Sequence, residues 1–155
     1  MIMEIERKFL VKGDSWRESA VGLFYRQGYL ALSQERVVRV RTTGGRGFLT
    51  IKGATKGISR PEYEYEIPVQ DANEMLENLC ERPLIEKKRY KIMHKGLIWE
   101  IDEFMAENRG LILAEVELSD ENQEISAPEW IGEEVSEDSR YYNACLVKHP
   151  YNKWD

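Results

Sequence analysis

Alternation with a period of two runs through most of this chain, the spacing of a strand whose two faces meet different surroundings. At the start, Glu4, Glu6 and Lys8 fall on one side of such a strand, and Met3, Ile5, Phe9 and Val11 on the other, with Arg7. Gly13-Asp14 breaks the pattern, and Asp14 is placed to cap a short helical turn through Trp16 and Ala20. Leu23 to Leu30 reads as a second strand with Tyr25, Gln27 and Tyr29 on one face, and Val37 to Thr42 as a third. Thr43-Gly44-Gly45-Arg46-Gly47 then turns the chain into Phe48 to Lys52, a hairpin signal. These glycines lack both a GxxxxGK[ST] pattern and a following helix, so they make a turn rather than a phosphate cradle. After a polar loop from Gly53 to Arg60, Glu62-Tyr63-Glu64-Tyr65-Glu66-Ile67 sets acids against aromatics until Pro68 ends the run. Asp71 with Glu74 has the character of a capping box and predicts a helix through Met75, Leu76, Leu79 and Cys80, with Pro83 just beyond it. A second hairpin joins Leu84 to Met93 and Leu97 to Phe104 at Lys95-Gly96, and Leu111 to Leu118 is the last strong strand. The tail reads as helical, with one segment starting at Pro128 and another over Tyr141 to Lys148.

Eight strand candidates, tight turns and few helices predict a mainly β (α+β) fold. The expected form is a closed eight-stranded antiparallel β-barrel with a few helices packed outside. Without an internal repeat or a linker, residues 1–155 read as a single domain. Closure matters because of what the charged faces carry: Glu4, Glu6 and Lys8, then Arg39 and Arg41, then Lys52. Glu62, Glu64 and Glu66 follow, then Lys87, Arg89 and Lys91, Glu100 and Asp102, and finally Glu115 and Glu117. Several strands thus carry charges of one sign in succession, where an ordinary surface mixes signs. The opposite faces carry Ile5, Phe9, Val38, Val40, Leu49, Ile51, Tyr63, Tyr65, Tyr90, Ile92, Trp99, Ile101, Val116 and Leu118, which need cover. If those point outward onto helices and loops, the charged faces line a bore just wide enough for side chains or one small ligand. Ionised groups in such a place are costly unless wet, paired or matched by a ligand. Arginine forks and lysine ammonium groups suit phosphate oxygens, and carboxylates suit magnesium or manganese. The pattern therefore points to a polyanion carried with divalent cations.

Composition narrows the partners. Of 155 residues, 42% are hydrophobic and 32% charged, a globular balance long enough to build a core without disulfides. A formal net charge of −6 argues against a nucleic-acid or membrane partner, since both call for a basic face. Cys80 and Cys145, set among apolar residues, read as free thiols in a reducing compartment, and no Cys/His cluster suggests zinc. Acids near the N-terminus and the lack of a long apolar run give the expectation of a soluble, cytoplasmic protein.

The opening Glu4-Ile5-Glu6-Arg7-Lys8 is an E-x-E-x-K motif that resembles the signature of the CYTH superfamily, the triphosphate tunnel metalloenzymes. Similarity continues in order through Gln27-Gly28-Tyr29-Leu30, Arg39-Val40-Arg41, Thr50-Ile51-Lys52-Gly53 and Glu62-Tyr63-Glu64. Lys87-Lys88-Arg89-Tyr90, Trp99 to Phe104 and Leu113 to Leu118 extend it over almost the whole chain, which looks most like the short bacterial members. The resemblance implies an eight-stranded tunnel and metal-dependent hydrolysis of a triphosphate, inorganic tripolyphosphate first, with Mg2+ or Mn2+ as cofactor. It also implies roles. Glu4, Glu6 and Glu117 are the foremost metal ligands, with Glu115 next, and Glu62, Glu64 and Asp102 serve a second ion or its waters. Arg39, Arg41, Lys52, Lys87 and Arg89 clasp the triphosphate, with Lys8 near the scissile end. Lys8, Tyr29 and Glu115 are the candidates for the catalytic step, Tyr29 being equally readable as barrel lining.

Glu66, Lys91 and Glu100 share the charged parity but lie near strand ends, where a solvated rim is expected. His94 and His149 are expected to be exposed and Trp99 and Trp130 to pack outside the barrel, while Lys148 is within reach of the bore but is not counted among its residues. Two other functions fit the same architecture: a class IV-type adenylate cyclase and a non-catalytic polyphosphate- or nucleotide-binding protein. The small chain leaves little for recognising a base, which favours tripolyphosphate. A homodimer is compatible with exposed strand surfaces.

Overall fold

Eight antiparallel strands close on themselves in a computed structural model that describes residues 2–154. They are β1 (Ile2–Val11), β2 (Leu23–Leu32), β3 (Arg36–Thr43), β4 (Arg46–Gly53), β5 (Ser59–Ile67), β6 (Ile85–His94), β7 (Leu97–Phe104) and β8 (Ile112–Glu117). Around the barrel the order is β5-β4-β3-β2-β6-β7-β8-β1, and β1 returns to β5 from Ile2↔Glu62 to Ile5↔Ser59. Closure leaves no open sheet edge, as a long charged strand array requires. Both predicted hairpins form. Gly44 and Gly45 sit at φ +56° and +76° between β3 and β4, and Lys95 and Gly96 at +48° and +85° between β6 and β7. Two left-handed residues in succession match the twist of the strands they join.

A ninth strand corrects the helical reading of the tail. β9 (Ile131–Glu134) lies antiparallel to β1, pairing Phe9 with Glu134 and Val11 with Ile131. Its cause is β1's length. One edge of β1 is held by β5 only as far as Ile5, which leaves the later backbone groups of that edge needing partners. Ile58, Trp130 and Val135 meet that need: Glu6 N donates to Ile58 O, Val135 N to Lys8 O, and Lys12 N to Trp130 O.

Helix α1 (Val69–Asn78) starts ahead of the predicted cap at Asp71. Pro68 precedes it at φ −55°, already in the helical range, and Asp71 lies in the first turn without a side-chain cap. α1 lays Ala72 and Leu76 over Val40, with Cys80 beside them. At Gly28 the chain passes so close beneath that a Cβ would sit 2.7 Å from Leu84 Cδ2 and 2.8 Å from Cys80 Cβ. The turn Ser15–Glu18 buries Trp16, but Asp14 makes no cap bond and accepts from Arg17 Nε instead.

Cover over the outer apolar faces is incomplete. Phe9, Trp16, Trp99, Ile101, Val116 and Trp130 form a cluster outside the barrel, with Trp99 and Trp130 edge to face at 6.1 Å. Across β4 and β5, Ile51, Tyr63 and Tyr65 remain 38%, 40% and 57% exposed, so the expected cover is absent there among the described residues. The bore is also not uniformly charged. Val37, Ile85, Phe104 and Leu113 share parity with its ionised residues at strand ends, and with Tyr29 they pack against Leu146 and Val147 of α2 (Asn143–Lys148). That apolar end reduces the desolvated polar surface and anchors the C-terminal segment.

Candidate active site

Period-two geometry delivers the charged side chains to one cavity of about 1050 Å³. It is lined by Glu4, Glu6, Lys8, Tyr29, Arg39, Arg41, Lys52, Glu62, Glu64, Lys87, Arg89, Glu115 and Glu117. Asp102 is the one predicted site residue outside the lining: it is 1% exposed, behind Lys87 and Arg89. Strand register sets who faces whom, with Lys8 opposite Glu115, Glu6 opposite Glu117, Lys52 opposite Glu62 and Arg89 opposite Asp102.

Two ion-pair groups result. In the deeper one, Asp102 Oδ1 accepts from Arg89 Nε at 2.7 Å and Oδ2 from Lys87 Nζ at 2.8 Å. Glu115 continues it, 3.1 Å from Arg89 Nη2 and 3.2 Å from Lys8 Nζ. In the shallower one, Lys52 Nζ lies 2.9 Å from Glu4 and 3.2 Å from Glu62. Both oxygens of Asp102 are thus taken by cations in this state, which makes it a counter-charge to the basic residues. No hydrogen bond joins Lys8 to Tyr29 among the described residues. Tyr29 OH accepts from Gln27 Nε2 at 3.3 Å, and Lys8 Nζ also donates to Tyr141 O at 3.3 Å.

Charge is unevenly satisfied, and the excess of each sign gathers in one place. Burial raises the Glu115 and Asp102 carboxyls, but Lys8 and Arg89 around the first, and Arg89 and Lys87 around the second, hold both below their ordinary range. Glu6 is pushed well above its usual range by burial, then by Glu115 and Glu4. Glu117 rises through burial, Glu4 and Glu100, and Glu62 is pushed up to about 7 by burial and by contact with Glu4. On the basic side, burial followed by Arg39 and Arg89 pushes Arg41 down to about 9. Burial pushes Lys87 down to about 7, Asp102 opposing and Arg89 and Arg41 assisting. Arg41 has no carboxylate partner among the described residues, and the buried Nε of Arg39 has no hydrogen-bond partner. One side of the bore is short of anions and another is short of cations.

A divalent cation fits the second shortage by donor chemistry. Glu6 and Glu117, opposite one another on β1 and β8, lack any basic partner among the described residues, and like charges so placed repel. Their oxygens are hard ligands of the kind magnesium and manganese take. Among the described residues no three acids converge into a closed metal site. The arrangement suits an ion that keeps waters and shares the oxygens of a bound phosphate, not one caged by protein alone.

The same ordered motifs are matched by a profile of the CYTH domain over residues 3–149. The chain belongs to the CYTH domain family. An inorganic triphosphatase of Acetivibrio thermocellus is 55% identical to it over 151 residues, 97% of each chain. An inorganic triphosphatase of Nitrosomonas europaea is 42% identical over 149 residues, 93% of this chain and 96% of the other. The crystal structure of an inorganic triphosphatase superposes with a TM-score of 0.66 at 37% identity, covering 95% of both chains. The CYTH fold expected from the motifs is thus the fold found.

Some lining residues of this CYTH chain were out of reach of motif reading. Glu100, expected at a solvated rim, lines the cavity and accepts from Arg89 Nη1 at 3.3 Å. Glu66 does lie at the surface, paired to Arg46, and Lys91, though exposed, lines the cavity beside Glu100. Lys148, exposed at the end of α2, also lines the cavity. Thr50 Oγ1 bridges Arg39 and Glu64, a role its parity with Lys52 signals. Gln27 shares a face with Tyr25 and Tyr29 and is fully buried, so alternation places it in the bore. Asn143 reaches Lys87 Nζ at 2.9 Å from a segment with no strand pattern, and no sequence signal marks it. His94 and His149 stay outside the cavity.

Proposed function

We propose that this CYTH protein hydrolyses inorganic tripolyphosphate inside its bore with the help of a divalent cation. One observation carries the reading: Arg41, without a carboxylate partner among the described residues, shares a cavity with Glu6 and Glu117, which lack a basic partner there. A linear triphosphate with its metal ion supplies both missing charges at once, and the inorganic triphosphatases similar to this chain support that substrate. Arg39, Arg41, Lys87 and Arg89 take phosphate oxygens through forked and point-charge hydrogen bonds. Lys52, held between Glu4 and Glu62, is freed to do so when those acids turn to another cation.

Glu4, Glu6 and Glu117 are the residues to hold magnesium or manganese, with Glu62 and Glu64 beside them; Asp102 joins a second ion only by giving up its basic partners. When bound, the ion screens phosphate oxygens and lowers the pKa of an attacking water. The hydrolytic step forms a bond from water oxygen to the terminal phosphorus and breaks that phosphorus's bridging bond, releasing orthophosphate and pyrophosphate. Lys8, its charge supported by Glu115 and Glu6, is placed to stabilise the negative charge growing on the departing pyrophosphate. Tyr29 takes part through its hydroxyl, which faces the cavity end beside Gln27.

The test is phosphate release from tripolyphosphate, pyrophosphate, ATP and thiamine triphosphate, each with magnesium, manganese or calcium. The reading expects tripolyphosphate to be cleaved fastest and pyrophosphate to resist. Cyclic AMP as the main product from ATP with manganese would replace it by a cyclase, and tight binding without turnover by a storage or sensing role.

A further inference from the structure

Two uncharged side chains connect the cationic half of the bore. Gln27 Oε1 accepts from Arg41 Nε at 3.0 Å, and Gln27 Nε2 donates to Asn143 Oδ1 at 3.4 Å and to Tyr29 OH at 3.3 Å. Asn143 Oδ1 accepts a second time, from Lys87 Nζ at 2.9 Å. A cation at each end fixes the polarity of both amides, because arginine and lysine only donate. The run from Arg41 through Gln27 and from Lys87 therefore converges on Asn143 Oδ1, which accepts from both sides. It also holds the only side-chain hydrogen bond of Arg41 among the described residues, beside a stacking contact of its guanidinium on the Tyr25 ring at 5.2 Å.

Charge explains why amides stand here. Elsewhere in the bore, cations are held by carboxylates: Arg89 by Asp102 and Glu115, Lys52 by Glu4 and Glu62. A carboxylate at position 27 or 143 would hold its cation just as firmly but cancel the charge that attracts a polyanion. An apolar side chain would leave the charge but not the aim. Resting on the triphosphate reading, we propose that Gln27 and Asn143 are positioning residues of the substrate clasp, directing Arg41 without neutralising it and aiming Lys87 without adding to the charge that Asp102 already sets against it. Asn143 opens α2, so the C-terminal segment sets part of the clasp.

Steady-state hydrolysis of tripolyphosphate with magnesium separates the possibilities in Gln27→Glu, Gln27→Met, Asn143→Asp and Arg41→Ala, each also melted thermally. Gln27→Glu and Asn143→Asp keep shape and add charge, and each should raise KM about tenfold or more, as expected for a lost charge-assisted contact. Gln27→Met should raise KM less than Gln27→Glu, although it loses the bond that Gln27→Glu keeps. A purely structural role predicts the reverse order, with KM following thermal stability. Asn143→Asp, at a half-buried helix start, carries the test alone if Gln27→Glu fails to fold. Unchanged KM in the charged variants while Arg41→Ala raises it would overturn the positioning role only. Unchanged KM in Arg41→Ala as well would overturn the triphosphate clasp itself.

Discussion

At Glu6 and Glu117 the fold spends stability on chemistry, because Lys8 and Lys52 only partly offset the burial and the like charges gathered there. Glu6→Gln and Glu117→Gln should each cut tripolyphosphate turnover by about 100-fold or more while raising the melting temperature of the cation-free protein. Unchanged rates in both would remove them from the site. pH gives a second check through Glu62 and Glu6, whose folded carboxyls bind protons more tightly than unfolded ones. That contribution to stability is complete below the ordinary carboxylate range and is lost as pH rises through about 7, the value to which Glu62 is pushed. Glu4, Glu115 and Asp102 work in the opposite sense, but their folded values lie below the ordinary range, so their contribution is lost only in stronger acid. The metal-free melting temperature should therefore fall between about pH 5 and about pH 7, above which Lys87, pushed down to about 7, works in the opposite sense, and magnesium should flatten the fall. A rise over that window would contradict the crowding. Charged bore residues were legible because parity and sign repeat from strand to strand. Gln27 was half legible, by parity but not by role, and Asn143 not at all, since its neighbour Lys87 is distant in sequence.

Among the elements, the strands and both hairpins were readable from alternation and left-handed turn residues such as Gly44-Gly45. β9 was not, for its four residues answer a need that exists only once β1 outruns β5. The start of α1 was misplaced because Asp71 and Glu74 suit a cap, whereas Pro68 holds that position and Asp71 falls in the first turn. α2 carries more weight than its length suggests: Leu146 is fully buried among Ile85, Phe104 and Leu113, and the same segment places Asn143 in the bore. Leu146→Ala should cost about 2–5 kcal/mol, measured by urea unfolding, and should raise KM as the segment loosens. A loss of stability with kinetics unaltered would show that α2 is a plug without influence on the clasp.

Over the whole molecule, the barrel solves one electrostatic problem in two incomplete halves. Acids and bases are brought within one cavity and paired where they can be, leaving anion-seeking arginines and cation-seeking glutamates for a ligand to join. Among the described residues no helix is long and apolar enough to cross a membrane. The closed strand order, unlike the identity of the ligand, followed from a sequence in which charged faces could not all be solvent faces. The most direct measurement is release of phosphate from tripolyphosphate as magnesium or manganese is titrated into cation-free protein. The account predicts none without the ion and, with it, orthophosphate and pyrophosphate in equal amounts. Folded protein that binds tripolyphosphate yet releases neither product with either ion would contradict it.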